Sequence, residues 1–287
     1  MTVTPFRVAI ARDVIVATGK DARTFLHSQL SNDIAGLAVG AVTHAFILDP
    51  SGKLNAFFRV RCLADDRFVL DVDAGCGATA LARLNKFKIR VQCDFVSTTE
   101  EVMAIRGVPT GLEIPGTVPA WRRGDGAFDV FVSGAEAPLA DIGELRIGAA
   151  PIRTGTDAEF HAERVRCAWP MFGIDITDAS LPAETGLVDV AVSFTKGCYP
   201  GQELVERMDS RGSTAPRTLM RLPSRMPATA DSGEGSRAVA GQPYLVVANE
   251  ATVEIGMCTS VAGDYALVLV ARAQVPLVTA EGGSQTI

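Results

Sequence analysis

The sequence predicts an α+β fold, strand-dominated and ending in a small β-barrel, and three observations predict it. Strand-like runs at 43–48 and 54–62 flank Asp49-Pro50-Ser51-Gly52, whose Pro and Gly suit a tight turn joining an antiparallel hairpin. Helical spacing occurs in isolated stretches, with no train of alternating strand and helix units to build a parallel sheet. Beyond Arg217, short runs at 218–222, 244–247, 252–258 and 265–270 are separated by polar, Gly-rich turns, the pattern of a small barrel. The expected domains are therefore 1–215 and 216–287.

Taken in order, residues 8–17 are β-branched and apolar, Gly19 breaks the run, and Asp21 is placed to cap a helix whose inner face holds Ala22, Phe25 and Leu26. The hairpin follows, and 67–72 adds a third strand. Leu81, Leu84 and Phe87 recur at helical spacing, Lys86, Lys88 and Arg90 give that helix a basic end, and 91–96 returns to strand. The stretch 101–152 is rich in strands and loops, with Gly124-Asp125-Gly126 a turn before 128–132. A helix is expected over 157–168 and another over 200–208, stopping near Gly212. Residues 223–241 are too polar for a core and read as an excursion, and those from Glu281 as a loose tail.

Composition bounds the function. With 287 residues, 47% hydrophobic and 21% charged, the chain is a folded protein able to bury a large core. Its net charge of −6 lacks the basic footprint that direct duplex nucleic acid binding needs. No run approaches the ~20 apolar residues of a membrane helix. Arg7, Arg12 and Asp13 interrupt any secretory core, so the expected location is cytoplasmic. Six cysteines without a C-x-x-C spacing exclude zinc-ribbon and ferredoxin patterns, and no metal site is expected.

One decoy is Gly75-Cys76-Gly77-Ala78-Thr79-Ala80 with Asp94 downstream, which fits a dinucleotide fingerprint. Against it, the preceding run alternates Val69, Leu70, Asp71, Val72, Asp73, whereas a central parallel strand is apolar on both faces. The strongest signal is Phe194 to Glu203, FTKGCYPGQE. Gly197 and Gly201 bracket Cys198 just before a helix, Pro200 suits the first turn and Glu203 its amide donors. The helix dipole and Lys196 would favour a Cys198 thiolate. The alternatives are a tight loop whose cysteine only packs, or a Cys–His pair, for which His27, His44 and His161 have no recognisable context.

Lys196 to Glu203 resembles the K-G-C-Y-x-G-Q-E signature of the YgfZ family, folate-binding-like proteins of iron–sulfur cluster maintenance related to the glycine-cleavage T-protein and to a mitochondrial iron–sulfur assembly factor. Residues 19–33, Leu48 to Lys53, Leu84 to Arg90, Leu181 to Glu184, Arg207 and Arg211-Gly212 extend the resemblance over roughly 10–220. It implies intertwined ferredoxin-like subdomains around a central opening, Cys198 as the essential group, and Lys196, Gly197, Tyr199, Gly201, Gln202 and Glu203 in support. The implied cofactor is tetrahydrofolate or a derivative, with Phe160, Arg166 and Arg211 as candidate contacts. The implied partners are iron–sulfur enzymes or assembly factors, including those that modify tRNA, served by a monomer without classical turnover. The resemblance also puts an ordinary helix start where the Gly75 decoy lies.

Departures sharpen this. T-proteins carry an aspartate pair after the hairpin, where this chain has Ala56 and Phe57, neither able to take a proton. That argues against the other reading, a folate-dependent aminomethyl or one-carbon transferase. Folate-binding relatives place a glutamate where this chain has Arg166, a donor-only group, so weak folate binding is expected.

Overall fold

The computed structural model describes residues 3–112, 114, 116–122, 124–132, 146–147, 150–210, 215–228, 235–248, 251–279 and 285–286. It is mixed α and β with strands dominant, and forms two compact units. The first comprises 1–47, 55–160 and 190–200; the second comprises 48–54, 161–189 and 201–287. The second unit thus draws in the hairpin tip and the stretch after residue 160 besides the C-terminal strands.

The first unit is built on a sheet running in the order β2 (Val42–Leu48), β3 (Leu54–Ala64), β4 (Arg67–Asp73), β1 (Phe6–Thr18), β5 (Asp94–Arg106), β7 (Phe128–Phe131), β6 (Val118–Pro119). β1 lies antiparallel to β4 and to β5, and β3 is antiparallel to β4. A short pair, β8 (Arg146–Ile147) and β9 (Ala150–Pro151), leads to β10 (Arg153–Thr154), which joins β1 in parallel. Helices α1 (Ala22–Gln29) and α2 (Gly77–Lys86) cover one face: Ile15, Ala17, Phe58, Val60, Phe68 and Leu70 pack there with Phe25, Leu26, Ala80 and Leu84. Alternate residues Val14, Val69 and Val102 bury the opposite face with Phe131.

That opposite face also holds a buried ionic network. Asp71 accepts from Arg59 Nε and Nη2 at 2.9 and 3.0 Å and from Arg12 Nε at 2.9 Å. Asp129 accepts from Arg59 at 2.8 Å and Arg106 at 2.9 Å. The Asp71 side chain is 0% exposed, so the alternation of β4 marks a buried charge layer and no solvent face. Burial pushes its carboxyl up, and Arg59 and Arg12 outweigh that, holding it below the usual carboxylate range.

Two local expectations are corrected, and the reading of the Gly75 decoy as an ordinary helix start holds. Asp21 stands before α1 but does not cap it; its carboxylate accepts from the Gln92 amide at 2.9 Å, tying α1 to the approach of β5. Strand β5 begins at Asp94, leaving 91–93 outside it. At the decoy, Asp13 accepts from the amides of Gly75 and Gly77, both at 2.9 Å, so a side chain of the protein already fills the anion position at the start of α2. With β4 antiparallel to both neighbours, the dinucleotide reading has no strand–helix–strand unit to stand on.

The chain enters the second unit within α3 (Asp157–Arg166) and leaves it within α4 (Val188–Ala191), and α5 (Gln202–Ser210) and α6 (Val275–Thr279) belong to the second unit. The sheet is β14 (Pro243–Ala248), β15 (Ala251–Ala262), β16 (Tyr265–Ala271), β11 (Arg217–Pro223), β17 (Gln285–Thr286) in spatial order. The polar stretch from 223 is no excursion: β12 (Arg225–Ala228) pairs with β13 (Gly235–Arg237), and Met226 and Ala238 enter the core. Likewise Gln285 and Thr286 of the expected tail pair with β11. Buried Asp175 binds this unit together, accepting from Arg164 and from the hydroxyls of Thr259 and Ser260, each at 2.6 Å. Glu184 of the Leu181-Pro182-Ala183-Glu184 segment is buried and accepts from Arg217 at 3.0 Å. Among the described residues no helix is long and apolar enough to cross a membrane.

Candidate functional site

The segment that carries the cysteine is held to the first unit through Ser31 and Asn32, just beyond α1. Ser31 Oγ donates to the Ala191 carbonyl at 2.6 Å, the Ser31 carbonyl accepts from the Ser193 amide at 3.0 Å, and Asn32 Nδ2 donates to the Val190 carbonyl at 3.0 Å. Asn32 also donates to the His44 carbonyl at 2.8 Å, so one amide joins β2 to the strap ahead of the motif. This is the structural use of Asn32, a residue the sequence marked only by resemblance.

Lys196 continues that attachment. Its ammonium donates to the carbonyls of His27 and Leu30, the unpaired acceptors at the C-terminal end of α1, where a cation suits the helix dipole. It also lies 4.9 Å from the centre of the buried Tyr199 ring. Burial pushes the amine down to about 8, against the opposing pull of Asp33. Lys196, expected from the sequence to favour a Cys198 thiolate, here fastens the loop to α1 through these two bonds.

Beyond Pro200 the chain passes into the second unit. Gly201 has φ +82°, and a Cβ there would lie 2.6 Å from the Asp49 carbonyl oxygen, so glycine is required by both backbone and space. The tip of the β2–β3 hairpin supplies that carbonyl and folds on itself, Asp49 Oδ1 accepting from Ser51 at 2.7 Å and from the Lys53 amide at 3.0 Å. Gly52, at φ +84°, meets Leu204 of α5 in the same unit. Gly197 differs: its φ is not positive and a Cβ would meet nothing within 4 Å. Its place in the motif therefore comes from no internal packing demand.

Between these anchorages Cys198 is exposed, and so is Phe194 on the same segment. Cys62, Cys93 and Cys258 are buried, Cys76 and Cys167 half-buried, and all six are free. Burial pushes the thiols of Cys93 and Cys258 up to about 11. Gln202 donates to Glu206, and Glu203 accepts from Arg207 at 2.5 Å; Glu203 therefore serves an ion pair along α5 where capping of its start was expected.

The residues read for folate have partners within the protein. Phe160 is buried against Trp121, centroids 6.0 Å apart, with the Arg106 guanidinium 5.1 Å from its ring. Arg166 makes a two-pronged contact with buried Glu163, both distances 2.7 Å. Arg211 lies outside the described residues. Ala56 and Phe57 are both buried, Phe57 against His44 and Phe46. Among the described residues no cluster of His, Cys, Asp or Glu is arranged to hold a metal ion.

The fold is that of the glycine-cleavage T-protein class. The solved structure of glycine cleavage system aminomethyltransferase T from Bartonella henselae matches with a TM-score of 0.69 at 18% identity, covering 94% of this chain and 79% of that one. Homologues by sequence carry more particular names. An iron–sulfur cluster assembly factor IBA57 homolog, mitochondrial, from Mycosarcoma maydis is 26% identical over 222 residues, 72% of this chain and 54% of its own. The tRNA-modifying protein YgfZ of Edwardsiella ictaluri is 25% identical over 218 residues, 69% of this chain and 65% of its own. An uncharacterized protein of Haemophilus influenzae is 26% identical over 202 residues, 70% of this chain and 67% of its own. The chain thus spans about half to two thirds of the length of these relatives, and no family profile matches it.

Proposed function

We propose that this protein is an accessory factor in the assembly or repair of iron–sulfur enzymes, including those that modify tRNA, and that it depends on Cys198. The observation that carries the reading is the exposed thiol on a loop fastened by Lys196 ahead of it and seated by Gly201 behind it, within a motif that resembles the YgfZ signature. A thiol so placed meets a partner without unfolding, which a packed cysteine cannot do. Homologues named for iron–sulfur assembly and tRNA modification support the substrate class. Ferredoxin-like subdomains, a C-terminal β-barrel and a cytoplasmic, monomeric protein belong to the same reading.

The test is complementation of a strain lacking its own family member, scored by a cluster-dependent tRNA-modifying enzyme. The wild-type chain should restore the modification, and Cys198→Ser, soluble and folded, should leave it at the level of the empty vector. Full rescue by the serine variant would leave only a scaffold role.

Tetrahydrofolate is part of this proposal as a weak ligand, supported by likeness to the aminomethyltransferase fold. Bound, it would offer a one-carbon carrier, but Ala56 and Phe57 provide no group to move a proton for aminomethyl transfer. Calorimetry with tetrahydrofolate should give a Kd of about tens of micromolar or weaker, since loss of one charge-assisted hydrogen bond alone removes roughly 10- to 150-fold in affinity. Submicromolar binding would return the transferase reading to the front.

A further inference from the structure

We propose that the backbone around Gly197 is a bare contact surface for a protein partner, which lays an uncharged, apolar patch over Phe194 and Gly197 when it meets Cys198. The inference rests on the function proposed above and says what kind of surface reaches the thiol. Its observation is a glycine that the fold does not need. Among the described residues, every other glycine either has a positive φ or stands where a Cβ would come within 2.6 Å of another group. Gly197 meets neither condition: its φ is not positive, and a Cβ there would meet nothing within 4 Å. A glycine so placed only loosens the unfolded chain, which costs stability.

Two ties hold that backbone in place. The Ser193 amide donates to the Ser31 carbonyl at 3.0 Å, and Lys196 fastens to the carbonyls of His27 and Leu30. Phe194 lies between these ties and is nonetheless 41% exposed, and Thr195, Gly197 and Cys198 are exposed with it. An aromatic ring held outward on an anchored backbone suits the centre of a protein contact.

Charge and size select the occupant. Lys196 is the only charged residue in 190–200, and its ammonium is committed to those two carbonyls, so the segment offers no cation to a phosphate backbone. A small molecule reaches an exposed thiol from many directions, and one methyl group on the preceding residue leaves it room. A protein surface broad enough to cover Phe194 and Cys198 together meets that methyl group.

The test uses the complementation strain with Gly197→Ala, Gly197→Val and Phe194→Ser in the full chain. Gly197→Ala should raise the unfolding temperature, and iodoacetamide should alkylate Cys198 in all three variants within about twofold of the wild-type rate, since that reagent needs no surface. The restored tRNA modification should nevertheless fall in the order glycine, alanine, valine at 197, by roughly 10-fold or more at valine, and should fall in Phe194→Ser as well. Full rescue by Gly197→Val would overturn the proposal while leaving Cys198 its role. Slowed alkylation in Gly197→Ala would overturn it too, because the added methyl group would then be moving the loop. A wild-type dimer that Gly197→Val dissociates would overturn it by assigning the surface to a second copy. If the wild-type chain restores nothing, the function proposed above fails, and this inference with it.

Discussion

Asp71→Ala is expected to destabilise the protein by about 3–5 kcal/mol, because it leaves Nε and Nη2 of Arg59 and Nε of Arg12 without their carboxylate in a buried site, Arg59 keeping only its bonds through Nη1. That is a large part of the ~5–15 kcal/mol by which folded domains are stable. Removing the partner is the costly change; replacing the pair need not be. Asp71→Leu combined with Arg59→Met should therefore recover much of the loss, provided that Asp129 still has Arg106. Urea unfolding of the single and double variants measures both. A loss below about 1 kcal/mol in Asp71→Ala would mean that water reaches the network and that its burial is overstated.

The second large effect is acid sensitivity through His44. Burial, and then the charge of Arg59, push the imidazole down to about 3 from its ordinary 6.5. Its Nε2 lies 3.1 Å from the Ala120 carbonyl, which makes that nitrogen the donor of a neutral ring, and the ring stacks on Phe57 at 5.5 Å. Between these two values the unfolded chain takes up a proton that the folded chain refuses. Stability due to His44 is thus flat above pH 6.5 and falls as the pH drops toward 3, by about 1.4 kcal/mol per unit. From pH 6.5 to 4.5 the wild type should lose about 2 kcal/mol more than His44→Gln, which keeps an N–H donor without the titration. Parallel curves for the two proteins over that range would show that His44 is charged or exposed.

Charge on strands explains what the sequence reading missed. Asp71 and Asp73 on β4, with Arg12, Arg59 and Arg61, look like solvated positions when each strand is read alone. Arg59 and Asp71 are buried in the sheet, so only the pairing of β4 with β1 and β3 reveals that these charges face one another. The same holds for Asp21, whose position predicts a cap and whose partner is Gln92, 71 residues on. Polar residues at 223–241 hid a hairpin because its anchors are single residues, Met226 and Ala238.

Local chemistry, by contrast, was sufficient for much of this protein. Alternating and helical spacing placed β1, the β2–β3 hairpin, α2 and the C-terminal strands, since those patterns depend on neighbours within a few residues. The eight residues from Lys196 to Glu203 marked the cysteine loop, because a Gly–Cys–Gly spacing before a helix is a short-range feature. The tertiary structure alone decided what those residues do for one another. Lys196 reaches carbonyls at 27 and 30, and Gly201 admits the carbonyl of Asp49. It also left Cys198 exposed while five other cysteines turned partly or wholly inward. Long-range hydrogen bonds and burial depend on which surfaces meet, and no periodicity in the chain encodes that.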